Sequence, residues 1–422
     1  MRLVGCARLG HRATFPSFLV AMADRRGLIA EILVLAAIGV ACALVLRSGG
    51  GSPGAAALDC RPDEETSGLP PTPTQPEVPG ARIQRHCLNE GVGDPWGTAF
   101  DAGGNLWVAE PGCDFAPTCP ATTPPGQIGE IAAGSNRIRH FTLPDIAGNQ
   151  PVFVQPDGGG HIWFTTPNNS MIGEFDPFAG RFIGQWPVSS GSGPWDLAFS
   201  NGVLWYTEHF VSAVGRFDPV THLHTDVPTP SGTSNPYGIA ADDTIAPGRV
   251  WFTENNPEVA RIGVVDSAQG DRISEFPVRA EPPQTMTLTP HMITIDHAGG
   301  IWWTEGSERM IGHLEPNEAL TDGPCGTASG SCTGIHEYLV SSPAGCPQSH
   351  ISGIAVDKSA PIVWFDDSLS SQLGNINTVT DNITMLPLQG CSSHAHDGLA
   401  IDPRNHVWWD EEFANALGEL VR

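Results

Sequence analysis

LTPHMITIDHAGGIWWTEG, residues 288 to 306, sets two short apolar runs on either side of a Gly-Gly turn and closes on a double tryptophan followed by Thr-Glu. Two such runs around a glycine turn predict an antiparallel hairpin. Its second half recurs. LWVAE (106–110), IWFTT (162–166), LWYTE (204–208), VWFTE (250–254), IWWTE (301–305), VWFDD (363–367) and VWWDE (407–411) make seven copies. A fixed repeat of this kind marks a propeller or a solenoid rather than an isolated motif.

The flanks repeat as well. Each copy is preceded by a short apolar strand opened by a turn, namely PWGTAF, PVFVQP, PWDLAF, PYGIAA, PHMITI, SGIAVD and DGLAID. Ten residues past the first tryptophan stands a glycine in five units (Gly173, Gly215, Gly312, Gly374, Gly418); Gly263 comes two residues late, and Gly129 is displaced by an insertion. A further strand follows each glycine except the last. The chain stops after LGELVR, while an unpaired run of the same character, RIQRHCL (82–88), stands ahead of the first unit.

Four short antiparallel strands per unit, seven units, and a last strand supplied from the other end predict an all-β fold. It is a seven-bladed β-propeller of four-stranded antiparallel blades, closed by the N-terminal strand 82–88. Closure removes two exposed sheet edges, and a solenoid would instead want terminal caps.

Composition agrees. There are 49 glycines, 38 prolines and 12 tryptophans among 422 residues, and the apolar runs are short. The formal net charge of −25 repels nucleic acid and anionic lipid, and it leaves solubility or attraction of cations as its uses. Residues 1–26 read as an n-region, and 27–46 (GLIAEILVLAAIGVACALVL) as a transmembrane anchor or a signal peptide, the only expected membrane contact. Residues 47–81 are a Gly/Pro-rich linker, and 82–422 form the propeller.

The bulk of the chain is therefore expected to be extracytoplasmic. Eight cysteines, Cys60, Cys87, Cys113, Cys119, Cys325, Cys332, Cys346 and Cys391, follow the apolar segment, an even number suited to disulfides in an exported protein. The local pairs Cys113 with Cys119 and Cys325 with Cys332 lie in loop insertions. Zinc binding is the competing reading, without the close cysteine spacing of a zinc knuckle to support it.

The blade PYGIAADD…GRVWFTENN…ARIGVVD…RISEFPV resembles the repeat of the virginiamycin B lyase (streptogramin lyase) family over roughly residues 82 to 422. The resemblance implies a seven-bladed propeller that opens the lactone ester of a B-type streptogramin by elimination, with Mg2+ in the site. Such chemistry needs a base for a proton next to a carbonyl and a cation or proton donor for the developing negative charge.

The residue opening the first strand of a blade and the one closing its second should emerge at one rim beside the central channel. His291 with Glu305 occupies these slots in one blade. Elsewhere they hold Trp96 with Glu110, Val152 with Thr166, Trp195 with Glu208, Tyr237 with Glu254, Ser352 with Asp367, and Asp397 with Glu411. A glutamate in five of seven blades also reads as a structural hydrogen-bonding device.

The family's working histidine opens the last blade, where this chain has Asp397 preceded by His396, with His394 two residues further back; its metal-binding glutamate matches Glu412. A second family slot holds Ser352, with His350 nearby. Expected acid/base residues are His291, His396 and Glu305. Glu411 and Glu412 are the expected cation ligands, and Trp96, Trp195, Tyr237, His350 and Asp397 the expected substrate contacts. A histidine-rich cup would instead admit zinc or manganese. The partner is then a small molecule or cyclic peptide, and a tethered binding propeller without catalysis is the alternative.

Overall fold

The computed structural model describes residues 81–88, 93–115, 118–278, 288–317, 334–341, 348–388 and 395–422. Their twenty-eight strands form seven four-stranded antiparallel sheets. Blades 1 to 6 are each a run of four consecutive strands, and blade 7 takes three from the C-terminus and one from the N-terminus. That closing strand, Arg82–Cys87, pairs antiparallel with Ala416–Val421 from Arg82↔Val421 to Cys87↔Ala416. The expected closure is present. The segment 27–46, His394 and five of the eight cysteines (Cys60, Cys325, Cys332, Cys346 and Cys391) lie outside the described residues.

The repeat is legible as packing. In blades 2 to 7 the aromatic in the middle of the second strand lies against the glycine of the third, where a Cβ would come within 1.9 Å of Tyr206 at Gly215 or of Trp303 at Gly312, and Val108 faces Gly129 in blade 1. Gly263 faces Phe252 in the same way, so its later position in sequence reflects only a longer hairpin. Between first and second strands, Asp101, Asp157, Asp296 and Asp357 accept hydrogen bonds from backbone N–H groups of the turn and from the Nε1 of the first tryptophan of the motif. That tryptophan therefore buries its ring without stranding a donor.

Apolar clusters fill the seams between blades: Trp107 with Phe164 and Phe175, Trp205 with Ile239 and Val250, and Leu106 with Trp408 and Leu417. Threonines add polar fastening. Thr165, Thr207, Thr253 and Thr304 donate to the carbonyls of Trp195, Tyr237, His291 and Ser352 in the following blade, at 2.5 to 2.7 Å. Cys113 and Cys119 are disulfide-bonded. Among the described residues no helix is long and apolar enough to cross a membrane.

Candidate functional site

The first strands of the blades contact one another in sequence and surround the axis. The residues that open them form a circuit of rings at one end. Trp96 meets Trp195 edge-on at 6.2 Å, Trp195 meets Tyr237 at 5.3 Å, and Tyr237 stacks on His291 at 4.0 Å. His291 meets His350 at 4.9 Å, His350 stacks parallel to His396 at 5.5 Å, and His396 returns to Trp96 at 4.8 Å. All but His350 are at least nine-tenths buried.

Asp397 sits within this circuit. Its Oδ2 accepts from Trp96 Nε1 (3.1 Å) and Tyr237 Oη (2.6 Å), its Oδ1 lies 3.0 Å from His291 Nε2, and His396 Nδ1 is 3.6 Å from Oδ2. Burial alone would raise its pKa. The positive ends of His396 and His291, with the hydrogen bonds from His291 and Tyr237, overcome burial and hold the carboxyl well below the usual range. Burial and that charge push the Tyr237 phenol well above its ordinary value, so it remains a donor. Burial above all, with the His291 charge adding, holds the neighbouring His209 down at about 4.

His396 and Asp397 both reach the circuit because blade 7 is longer by one residue. In blade 6 the pairs Ile351↔Asp367 and Ala355↔Trp364 bracket the opening of the first strand. In blade 7 the matching pairs are Ala395↔Glu411 and Ala400↔Trp408. Assigning the slot to Asp397 alone is thus corrected: by its pairing at the strand's start the slot is His396, and the extra residue brings Asp397 in behind it. In blade 6 Ser352 holds the slot, and His350, two residues before it, supplies the ring. His350 is positioned through its own N–H, which donates to Asp367 Oδ1 at 3.0 Å. Gly306 leaves room for it, since a Cβ there would lie 2.9 Å from His350 Cε1. One ring nitrogen from each of His291, His350 and His396 lies within 4.8 Å of the others.

Glu305 closes the second strand directly opposite Pro290 and shares the rim with His291, but neighbouring residues of a strand point to opposite faces. Its carboxylate accepts from Trp303 Nε1 at 2.7 Å, and burial first, with the charge of Glu337 adding, raises it to about 8. The other motif glutamates behave alike. Glu110 meets His140, Glu254 feels Glu275, and Glu411 faces Arg85 of the closing strand at 2.6 Å. Each acts on the fourth strand of its own blade. Glu305 and Glu411 are thereby placed inside their blades and away from the circuit of rings.

Glu412, one residue beyond the strand, is buried and acts electrostatically on Asp94 and Asp410. Asp94 is raised to about 6 by burial and then by the charges of Glu412 and Asp114. A buried carboxyl whose charge raises that of its neighbour makes a pair suited to a hard cation. Glu412 with Asp94 therefore fits Mg2+ by donor type, while Glu411 is held within its blade by Arg85 of the closing strand.

Asp94, Asp366, Asp410 and Asn255 are functional candidates that the sequence reading passed over. Asp366 and Asp410 stand where blades 2 to 5 carry the fastening threonine, a substitution visible in VWFDD and VWWDE. Asn255 donates to His291 Nδ1 at 3.2 Å and to the Pro290 carbonyl at 3.0 Å. Phe115, in the Cys113–Cys119 loop, packs edge-on against Trp96 and Trp195 at 5.9 and 5.6 Å. It covers the aromatic half of the mouth.

The model of the virginiamycin B lyase family matches residues 121–337, just over half of the 422-residue chain. Selenomethionine-substituted virginiamycin B lyase from Staphylococcus aureus aligns with a TM-score of 0.64 at 21% identity, covering 81% of this chain and 99% of that one. A catalytically inactive histidine-to-alanine form of the same enzyme with quinupristin gives 0.65 at 20% identity, again over 81% and 99%. The extracellular domain of a hybrid two-component system from B. thetaiotaomicron gives 0.54 at 13% identity, covering 80% of this chain and 42% of that one. These likenesses share the propeller. A search of curated proteins returned no match.

Proposed function

Because the chain belongs to the virginiamycin B lyase family, we propose that it opens a cyclic ester of the depsipeptide lactone class by elimination. The observation that carries the reading is the contact of His291 Nε2 with Asp397 Oδ1 at 3.0 Å inside the circuit of rings. With its proton held toward Asp397, His291 has its lone pair on Nδ1, where Asn255 donates in the resting site, and it acts as the base once substrate displaces that amide. Asp397 stabilises the imidazolium that forms, a role an ionised carboxylate fills best.

His291 Nδ1 removes a proton from the carbon next to a carbonyl. The electron pair of that C–H bond becomes a carbon–carbon double bond, the adjacent ester C–O bond breaks, and a carboxylate departs. His396, oriented by Trp96 and Asp397, donates a proton toward the departing oxygen. Trp96, Trp195, Tyr237 and His350 hold flat groups of the substrate by stacking. A magnesium ion held by Glu412 and Asp94 would supply Lewis-acid stabilisation of negative charge. The Cys113–Cys119 bond supports an extracytoplasmic location. A binding propeller without catalysis would use the same rings, but it would have no use for an ionised Asp397 paired with imidazole.

The test is incubation of the purified protein with quinupristin and Mg2+, following mass and ultraviolet spectrum. Unchanged mass with a new unsaturated chromophore, abolished by His291→Ala, supports elimination. A product heavier by one water means hydrolysis, and the absence of conversion with any cyclic depsipeptide leaves a binding role.

A further inference from the structure

Blade 7 departs from the repeat at a second place, on the seam where the ring closes. In blades 1, 2, 5 and 6 the turn aspartate gives one oxygen to the motif tryptophan, at 2.8 to 3.1 Å. Blade 7 keeps both residues, Asp402 and Trp408, and Asp402 still accepts from the Arg404 and His406 N–H groups at 2.8 Å each. Yet Trp408 has left it. Its ring stacks on His86 of the closing strand at 4.6 Å, and its buried Nε1 has no partner. Asp402 Oδ2 instead takes Arg404 Nε at 2.9 Å and Nη2 at 2.8 Å, and lies 3.6 Å from His406 Nδ1; the guanidinium, 3.5 Å from Glu419 Oε1 on a side chain 59% exposed, would turn out to solvent to admit an ion.

The released aspartate joins a compact group. His406 Nδ1 is 2.7 Å from Glu419 Oε1, His86 Nε2 is 2.9 Å from Glu419 Oε2, and one atom each of Asp402, His406 and Glu419 lies within 4.8 Å of the others. All four side chains are more than nine-tenths buried. Beside them runs a cavity of about 470 Å³ lined by Trp408, Phe100 and the glycine turns at Gly103 and Gly134, which offers access from solvent and room for a water ligand.

Blade 2 is an internal control. It carries the same types at the same positions, with His161 Nδ1 2.6 Å from Glu174 Oε1, but Asp157 is tied to Trp163 and the His161 side chain is 39% exposed. Among the described residues no counterpart of His86 joins it there.

We propose that Asp402, His406 and Glu419 form a divalent transition-metal site at the ring closure, with His86 orienting Glu419 from the closing strand. Imidazole with two carboxylates suits zinc or a neighbouring first-row ion, with water completing the shell. His86 and Glu419 are 333 residues apart in sequence, so an ion here ties the N-terminal strand to the last blade. Because the unfolded chain lacks the site, binding adds to folding stability.

The probe is Zn2+ titrated into untagged, chelator-treated protein, by calorimetry and thermal unfolding, in a His350→Ala background that removes a donor from the histidine cluster at the channel mouth. The expected result is one bound ion and a raised melting temperature. Both should be lost in His406→Asn, which keeps an N–H donor for Glu419 but no ligating nitrogen, and retained in the blade 2 variant His161→Asn. His86→Gln should weaken binding roughly 10- to 100-fold, as loss of an outer partner does. No Zn2+ binding in the background protein, or equal binding in His406→Asn, overturns the proposal. Should His406→Asn fail to fold, Glu419→Gln decides on the same criteria.

Discussion

Blades 2 to 5 and blades 6 and 7 share one backbone plan and fasten to their neighbours with different chemistry. In the first group a threonine hydroxyl accepts from an N–H of its own blade and donates to a carbonyl of the next, as Thr253 does with Gly238 and His291. In the second, Asp366 accepts from Gly353 N and Asp410 from Gly398 N, with the neighbouring carbonyls of His396 and Trp96 crowding the same glycines. A carboxyl replaces threonine as acceptor and donor only while it keeps its proton. Burial first pushes both well above the ordinary carboxylate range, with Asp397 adding for Asp366, and Asp366 and then Asp397 adding for Asp410. Of the three buried carboxyls, burial favours the protonated form of Asp366 and Asp410, and Asp397, beside the imidazoles, is the one held low. Environments that drive neighbouring acids apart are how a site assigns charged and neutral roles.

The largest expected effect tests whether that charge serves chemistry. His291→Ala should lower kcat on a cyclic depsipeptide by about 10^3-fold, within the range of general-base losses. His313→Ala, in the same blade but stacked on Trp302 away from the axis, should change it less than about 3-fold. Equal losses would mean that the blade as a whole, and not the Asp397–His291 contact, is what matters.

Asp397→Asn keeps shape and removes charge. It should cost about 100-fold in kcat and flatten the acid limb of the pH–rate profile. Asp366→Asn and Asp410→Asn mimic acids that are already neutral, so activity should stay within about 3-fold. Losses of the same size at all three positions would end the distinction between the two kinds of carboxyl.

A third test is pH. Asp196 and Glu208 are raised to about 7, Glu305 to about 8 and Glu254 to about 9, in each case chiefly by burial. In the window above each group's ordinary value the folded chain holds protons that the unfolded chain releases, so stability falls as pH rises toward the folded values. His209 and His313, both lowered to about 4 by burial, work in the opposite sense, but their contribution is complete above about 6.5. The melting temperature should therefore decline from pH 6.5 to 9. Each carboxyl still titrating removes up to about 1.4 kcal/mol per pH unit, and Glu305→Gln should make the decline shallower. A flat profile would mean that these carboxyls are ionised in the fold.

How much of this was legible follows from what periodicity records. Seven tryptophan motifs, their glycines and the spare strand at residues 82–88 fix the blade count and the closure, because each reflects a packing need that repeats. The slots also placed Trp96, Trp195, Tyr237 and His291 on one circuit. The extra residue in blade 7 was hidden, since a two-residue period cannot show where a register slips, and it alone brings both His396 and Asp397 to the axis. Glu305 and His291 share a rim in sequence logic, yet the pleat turns them to opposite faces. Asp366 and Asp410 were visible as departures from threonine, but their meaning depends on burial and on the neighbouring carboxylate.

The smallest effect is the most direct probe of the fastening. Asp366→Thr restores the residue type of blades 2 to 5, with a hydroxyl able to accept from Gly353 N and donate to the His396 carbonyl. The bond accepted from Gly353 N survives, the buried Asp366 Oδ2 that has no partner is removed, and a hydroxyl buries with less penalty than a carboxyl. Stability at pH 6.5 should change by less than about 1 kcal/mol by denaturant unfolding, within the usual value of one hydrogen bond. As pH rises the variant should gain on the parent chain, since burial raises the Asp366 carboxyl and the variant has no proton to lose. Asp366→Leu, which strands Gly353 N, should cost about 1 to 3 kcal/mol. If Asp366→Thr proved as damaging as Asp366→Leu, the carboxyl at this position would be needed for its charge, and blades 6 and 7 would differ from the rest in electrostatics and not in how the latch is made.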